Sequence, residues 1–136
     1  MNIQTINEEL ITELLAKAEA TERKRYPFDL RDAESDACQR KLNALLPGTV
    51  VPIDRHLDTS ESIVLIKGEM DVVFYDELPN MDAGGPGREF KEILRVTLSH
   101  NSGNYGIQIP MGAWHGIEVK TATVIMEAKN GAYGEG

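Results

Sequence analysis

The first 20 residues carry apolar positions with the period of a helix. The segment from Asn7 to Ala20 is predicted to be amphipathic, with one apolar stripe against a polar face. The stripe consists of Leu10, Ile11, Leu14, Leu15 and Ala18. Thr5 and Glu8 have the spacing of a capping box, so Thr5 is predicted to cap the helix.

A second helix is predicted before the first proline-glycine pair. Tyr26-Pro27-Phe28 should be extended, because a residue that precedes proline avoids helical angles. Ser35 then begins a segment that Pro47-Gly48 would end. Its apolar residues share one helical side: Cys38, Leu42, Leu45 and Leu46.

From Gly48 onward the pattern becomes that of strands. Short runs of β-branched and aromatic residues alternate with Gly, Pro, Asn and Asp turns. The predicted strands are Thr49–His56, Ser62–Ile66, Met70–Asp76, Glu92–Leu98, Tyr105–Ile109, Gly116–Val119 and Thr123–Ala128. Lys67-Gly68-Glu69 should link two strands tightly, as a hairpin turn would, and Glu77–Arg88 should form one long glycine-rich loop.

These elements predict a mainly β protein, an antiparallel barrel or jelly roll preceded by N-terminal helices. We expect residues 1–47 to form a helical attachment and residues 48–136 to form the barrel. A chain of 136 residues suits one structural unit with a single core.

Net charge and composition limit which partners the protein can bind and in which compartment it is expected. The net charge of −8 argues against nucleic acid as a partner, and the triplet Arg23-Lys24-Arg25 is too short to reverse that argument. The lone Cys38 excludes an intrachain disulfide and suits a reducing compartment. A signal peptide and an apolar run of about 20 residues are both lacking, so we expect a cytoplasmic protein with no membrane partner.

Metal-ligand residue types recur in two strand-like stretches. Side chains alternate along a strand, so Asp54 and His56 should face the same side. Glu61 begins the next strand, and His115 follows the turn Pro110-Met111-Gly112. Two imidazoles with one or two carboxylates predict a metal centre inside the barrel. Three protein ligands with open positions are typical of a catalytic metal site.

The same residues resemble the two motifs of the cupin superfamily. The first motif is matched by Gly48, Asp54, His56, Glu61 and Gly68, and the second by Pro110, Gly112 and His115. Over residues 23–133 the chain looks like the WbuC-type cupin-fold metalloproteins of bacteria. The supporting segments are Arg23–Leu30, Gln39–Gly48, Gly103–His115 and Glu127–Tyr133. The resemblance implies a cupin-type jelly roll, a bound divalent metal and a link to surface-polysaccharide biosynthesis.

Two positions depart from the cupin pattern. Asn104 stands where the second motif has glycine, and Asp54 stands where the first motif has a histidine. We expect His56, Glu61 and His115 to bind the metal, and Asp54 is a candidate fourth ligand. An aspartate ligand would shift the preference of the site towards Mn or Fe(II). Alternatively, Asp54 holds a water or orients an imidazole. The metal is left open among Fe, Mn, Zn and Ni, and a degenerate cupin with an empty site is the competing interpretation.

Further residues are candidates for the substrate pocket. They are Tyr105, Gln108, Trp114, Glu127 and Arg25. For the aromatic residues, ordinary core packing is the competing interpretation, and for Glu127 it is an ion pair with Lys129 on the barrel wall. The cluster around Arg25 could hold an anionic group or form a solvated connector. His100 is interpreted as an ordinary hydrogen-bonded histidine.

Three functions of different classes fit the sequence. The first is an enzyme that binds a small molecule, such as a sugar or polyol, through the metal, with Asp54 moving a proton during isomerisation or epimerisation. With Fe(II), the enzyme would instead be a dioxygenase. The second is a non-catalytic ligand-binding or sensing module. The third is a structural metal in a protein that associates as a homodimer.

Overall fold

The computed structural model describes residues 1–79 and 88–131 as one helix and eight strands. The elements are α1 (Glu8–Glu19), β1 (Arg25–Asp29), β2 (Cys38–Leu45), β3 (Glu61–Lys67), β4 (Glu69–Leu78), β5 (Glu89–Ser99), β6 (Gly106–Ile109), β7 (Trp114–Val119) and β8 (Thr123–Asn130). Most of the predicted loop, residues 80–87, lies outside the described residues, as does Tyr133. In the described part of the chain, no helix combines the length and apolar character that crossing a membrane requires.

The strands form two antiparallel sheets. Five strands have the order β1-β2-β8-β3-β6, and three have the order β5-β4-β7. One apolar cluster joins residues of both sheets: Leu45, Ile63, Leu65, Met70, Val72, Leu98, Ile109 and Ile125. The predicted mainly β jelly roll is therefore confirmed, as are six of the seven predicted strands, which correspond to β3–β8. The prediction of a closed barrel is wrong, because the described strands form two separate sheets.

Helix α1 covers the other side of the five-stranded sheet. Its buried residues Leu10, Ile11, Leu14 and Ala18 pack with Leu42, Ala44, Leu46 and Val124. The helix is capped by Asn7, whose side-chain oxygen accepts the Leu10 N–H at 3.0 Å. The prediction of Thr5 as the cap is wrong, because the helix begins at Glu8 and the capping side chain must come from the residue just before it.

The predicted second helix is wrong, because Cys38–Leu45 forms β2. This strand pairs with β1 on one side and with β8 on the other. Leu42 and Ala44 lie under α1, while Gln39 and Leu45 are buried on the opposite face. Since both faces are covered, the apolar residues lose the alternation that marks a half-buried strand. The division of the chain at residues 47 and 48 stays a prediction.

Two further predictions between β2 and β4 need correction. Thr49–His56 is not a strand, since only Asp54 pairs there, as an isolated bridge to His115. Proline at position 52 has no N–H to donate to a ladder. The Lys67-Gly68-Glu69 link is not a hairpin turn, because β3 and β4 belong to different sheets. Gly68 has φ +98°, and a Cβ there would overlap the carbonyl oxygen of Ala122.

A buried carboxylate ties β4 to β5 in the smaller sheet. Asp71 is 2% exposed; it accepts hydrogen bonds from the Thr97 hydroxyl at 2.7 Å and from Arg95 Nη1 at 3.0 Å. Burial raises the pKa of Asp71, but these hydrogen bonds outweigh it and leave the pKa below its ordinary value. Asp71 therefore stabilises the fold above its unfolded-state pKa, and this contribution is lost as the pH falls through the folded-state pKa.

Thr97→Val should lower the free energy of unfolding by about 1.5–3 kcal/mol at neutral pH, because a hydrogen bond to a charged group is lost. Urea unfolding followed by circular dichroism measures the change. The deficit should shrink as the pH falls and Asp71 becomes protonated in both proteins. A deficit that stays constant down to acidic pH would show that the hydroxyl stabilises something other than the carboxylate.

Candidate metal centre

Three of the predicted ligands meet between the two sheets. One donor atom from each of His56, Glu61 and His115 lies within 4.8 Å of the others. The Nε2 atoms of His56 and His115 lie 3.0 Å and 3.7 Å from Oε2 of Glu61. Their ring centroids are 5.8 Å apart. Sequence spacing therefore identified a cluster that the fold brings together from β3, β7 and the segment before β3.

Backbone pairing holds the two histidine-bearing segments together. Asp54 and His115 exchange two hydrogen bonds of 2.9 Å, and the His56 carbonyl accepts the Gly112 N–H at 2.8 Å. Gly112 has φ +82° in a turn closed by the Ala113 N–H and the Pro110 carbonyl. A positive φ at the third residue of such a turn favours glycine. The glycine of the second motif is thus needed to aim His115 at His56.

The tautomer of His115 is set by its own turn. Its Nδ1 atom lies 3.0 Å from the carbonyl oxygen of Ala113. A carbonyl oxygen can only accept, so Nδ1 carries the hydrogen, and in the neutral imidazole the lone pair is on Nε2, the atom nearer Glu61. A backbone carbonyl bound to the far nitrogen is the usual arrangement of a metal-ligating histidine.

Glu61 is the buried acid of the cluster. Its side chain is 9% exposed, and within the described residues no donor is aligned on Oε2, although His56 Nε2 lies 3.0 Å away. Burial raises the pKa of Glu61, and the nearby Glu127 carboxylate raises it further, while His115 and His56 act in the opposite direction. If the imidazole nitrogens and the carboxylate oxygen all direct lone pairs at one cation, they should lie close together without forming hydrogen bonds to each other. Two imidazoles and an orphaned buried carboxylate therefore fit a divalent transition metal.

A cavity of about 470 Å³ opens beside the cluster. Its lining includes all three cluster residues and three of the predicted pocket or proton-transfer residues, namely Asp54, Glu127 and Arg25. Asp54 is exposed and lies outside the donor cluster, and its Oδ1 atom accepts the Arg55 N–H at 2.8 Å. Asp54 therefore lies on the cavity wall, next to the three converging donors but not among them.

The other predicted pocket residues lie away from the cavity lining. Tyr105 is 59% exposed beside the His100 ring, and the Gln108 amide oxygen accepts the Ser62 hydroxyl at 2.5 Å on the outer face of the sheet. Trp114 packs edge-on against Phe90, and the Arg55 guanidinium lies 4.3 Å from its ring centroid. Neighbouring residues on a strand face opposite sides, so Trp114 points away from the site that His115 enters.

Lys41 and Asn43 line the cavity but were missed by sequence reasoning. Both lie on β2, where the sequence was interpreted as a helix. A strand interpretation of that segment would have placed Gln39, Lys41 and Asn43 in one row on the inner face. Glu127 forms an ion pair with Lys41 at 3.4 Å, a partner that the sequence did not suggest.

Solved cupin structures share this fold. A cupin superfamily protein from Desulfitobacterium hafniense matches with a TM-score of 0.58 and 16% identity, covering 86% of this chain and 86% of that chain. L-ribose isomerase of Cellulomonas parahominis, solved with L-psicose, gives 0.56 and 13% identity over 79% of this chain and 61% of that chain. The capsular polysaccharide assembling protein CapF of Staphylococcus aureus gives 0.52 and 20% identity over 72% and 24%. The present chain thus spans about a quarter of CapF.

Sequence comparison gives one family. The family model described as "Domain of unknown function (DUF6016)" matches residues 6–83, which is more than half of the 136 residues. A search of curated proteins found no significant match. Since the structural matches are below 25% identity, they show the cupin fold alone.

Proposed function

The chain belongs to the DUF6016 family, and we propose that it is a metal-dependent cupin-fold protein acting on a small hydroxylated molecule. The observation that carries the proposal is the buried cluster of His56, Glu61 and His115 on the wall of a 470 Å³ cavity. A structural metal would be enclosed by four protein ligands, whereas three ligands beside a cavity leave positions for a substrate.

The donor set defines how each residue would act. His56, Glu61 and His115 would hold the ion, and a bound divalent metal would act as a Lewis acid towards substrate oxygens. The exposed carboxylate of Asp54, on the same cavity wall, is proposed to accept a proton from the substrate. The side chains of Ile53, Ile63 and Ile117 also line the cavity and would exclude water from the reacting face.

Sugar-derived molecules are the proposed substrate class, with isomerisation or epimerisation as the reaction. The sequence resemblance to WbuC-type cupin proteins over residues 23–133 supports a role in surface-polysaccharide metabolism. The names of two structural relatives agree with this choice, since one is a sugar isomerase and the other a capsular polysaccharide assembling protein. The fold itself hosts many chemistries, so likeness to these relatives does not by itself identify the reaction of this chain.

An Fe(II)-dependent dioxygenase is the second candidate. The observation that favours it is the ligand count, because two histidines and one carboxylate form the usual set of non-haem iron oxygenases. The two candidates predict different metals and a different response to oxygen.

Metal analysis combined with an anaerobic turnover test would decide between these candidates. Protein purified from its own host, without a metal-affinity step, should contain about one equivalent of one transition metal per chain. It should convert a sugar or sugar derivative from a test panel without oxygen, and chelator-treated protein is the control. Oxygen-dependent turnover with iron would favour the dioxygenase, and metal without turnover would favour the binding or sensing module. Protein that acquires no transition metal even on reconstitution would contradict the proposal.

A further inference from the structure

The cavity carries positive charge at the end furthest from Glu61 in the sheet. Arg23, Arg25 and Lys41 all contribute to its lining, in a chain whose net charge is −8. Arg25 lies on β1 and Lys41 on β2, whereas Glu61 lies on β3, which is separated from β2 by β8. Arg25 and the ligand residue Glu61 therefore lie at different ends of the lining, with the Lys41–Glu127 pair between them.

Among the described residues, only one of these three cations forms a direct ion pair. Lys41 pairs with Glu127 at 3.4 Å, but neither Arg23 nor Arg25 forms an ion pair with any carboxylate of the described residues. Burial lowers the pKa of Arg25 and the charge of Arg23 lowers it further, with Glu127 opposing both. Glu127 is the nearby counter-charge, but it is already paired with Lys41, so an anion in the cavity would stabilise the two guanidinium groups further.

The turn that presents both arginines is held in a strained conformation. Lys24, between them, has φ +57°, a value that side-chain-bearing residues rarely adopt. The Lys24 carbonyl accepts the Leu46 N–H at 3.0 Å, and the Arg23 carbonyl accepts the Thr49 hydroxyl at 2.7 Å. Tertiary hydrogen bonds thus fix the turn, with Arg23 and Arg25 lining the cavity and Lys24 outside the lining.

A buried acceptor lies beside the cations. Oδ1 of Asn43 is shielded from solvent and has no hydrogen-bond donor among the described residues. Asn43 lines the cavity and shares the inner face of β2 with Lys41, two residues away. A buried carbonyl oxygen without a donor is rare, and a hydroxyl group of a ligand would satisfy it.

From these contacts we propose that the cavity selects an anionic, hydroxylated molecule. Arg23 and Arg25 hold its phosphate or carboxylate group, a hydroxyl donates to Asn43, and further oxygens reach His56, Glu61 and His115. The backbones of strands β1 and β3 are three strand spacings apart, about 14 Å, so the ligand must extend along the cavity to reach both the arginines and the metal cluster. A sugar phosphate or sugar acid fits a cavity of 470 Å³, and only its metal-facing end rests on the proposed function.

Ligand titrations of metal-free protein, followed by ¹H–¹⁵N correlation spectra, test the anion site independently of the metal. The probes are D-galactose 6-phosphate, D-galacturonate and neutral D-galactose. At least one anionic probe should bind roughly tenfold or more tightly than galactose, with shifts at residues 23–25 and 41–43. Tighter binding of D-galactose 6-phosphate would identify a phosphate site, and tighter binding of D-galacturonate would identify a carboxylate site.

Charge-matched variants assign the effect to the cavity. Arg25→Gln and Arg23→Gln should each weaken anion binding about tenfold or more, whereas Lys24→Gln, which removes the same charge from the same triplet, should not. Arg23 is exposed, so its variant keeps the test valid if Arg25→Gln folds poorly. Equal binding of all three sugars, or equal losses in the three variants, would overturn the proposal. Failure of metal binding alone would contradict the proposed function and leave this site standing.

Discussion

Replacing His115 with alanine is expected to lower metal affinity by more than about a hundredfold, while the fold is retained. Loss of a residue that merely orients a ligand costs about 10–100-fold, and His115 is itself a proposed ligand. Its backbone pairs with Asp54 and with Phe74, and these hydrogen bonds do not depend on the imidazole. Elemental analysis after dialysis, with circular dichroism on the same sample, measures both quantities.

His56→Ala should behave in the same way, and the third histidine supplies the control. His100 is exposed, lies against Tyr105 and stands outside the donor cluster, so His100→Ala should keep the full metal content. If either His56→Ala or His115→Ala retains a full equivalent of metal under these conditions, the ligand assignment is wrong.

Asp54→Asn separates metal ligation from proton transfer at this residue. Because Asp54 lies outside the donor cluster, its amide variant should keep the metal and lose turnover. A variant that loses the metal would instead make Asp54 a fourth ligand. The measurement is the ratio of metal content to turnover in the same preparation.

The candidate site was predictable because histidines are few in this chain and because they stand at set spacings from glutamate, proline and glycine residues. Two of the three histidines of the chain enter the cluster, and turn glycines such as Gly112 mark the positions where the chain must bend. These features depend on residue identity and do not require knowledge of the local secondary structure. His56 lies in the cluster, although the strand predicted around it is wrong.

The basic end of the cavity was only partly predictable, because it depends on β2. Leu42 and Leu45 have a spacing that suits a helix, yet they face opposite sides of a strand covered on both faces. Helix α1 covers one face of β2 and the second sheet covers the other. The sequence of β2 alone does not indicate either contact. Lys41 and Asn43 were missed for this reason, whereas Arg25 was found from its charge.

Glu61→Gln is expected to abolish metal binding and yet to stabilise the metal-free protein at neutral and alkaline pH. The Glu61 carboxylate is buried, and within the described residues its Oε2 atom has no aligned donor, so its ionised form is costly to keep in the fold. Glutamine has nearly the same shape without the charge. The free energy of unfolding should rise by about 0.5–2 kcal/mol, the usual gain from a single stabilising substitution.

The sign of the pH dependence follows from the raised pKa of Glu61, which burial causes. An acid whose pKa is raised by folding contributes its stability below the unfolded-state pKa and loses it as the pH rises through the folded-state pKa. The advantage of Glu61→Gln should therefore grow with pH in chelator-treated protein. Glu22→Gln, an exposed change of the same charge, is the control for the effect of net charge.

Adding metal should reverse the order of the two proteins. Binding to the folded state alone stabilises the wild type by about 2.7 kcal/mol at a metal concentration one hundred times the dissociation constant, and the variant gains nothing. Thermal or urea unfolding with and without metal, at two pH values, measures the crossing. A variant that is less stable than the wild type in the absence of metal would mean that Glu61 is satisfied within the fold. The buried carboxylate would then have a structural role, and the case for a cation between His56 and His115 would lose its main physical support.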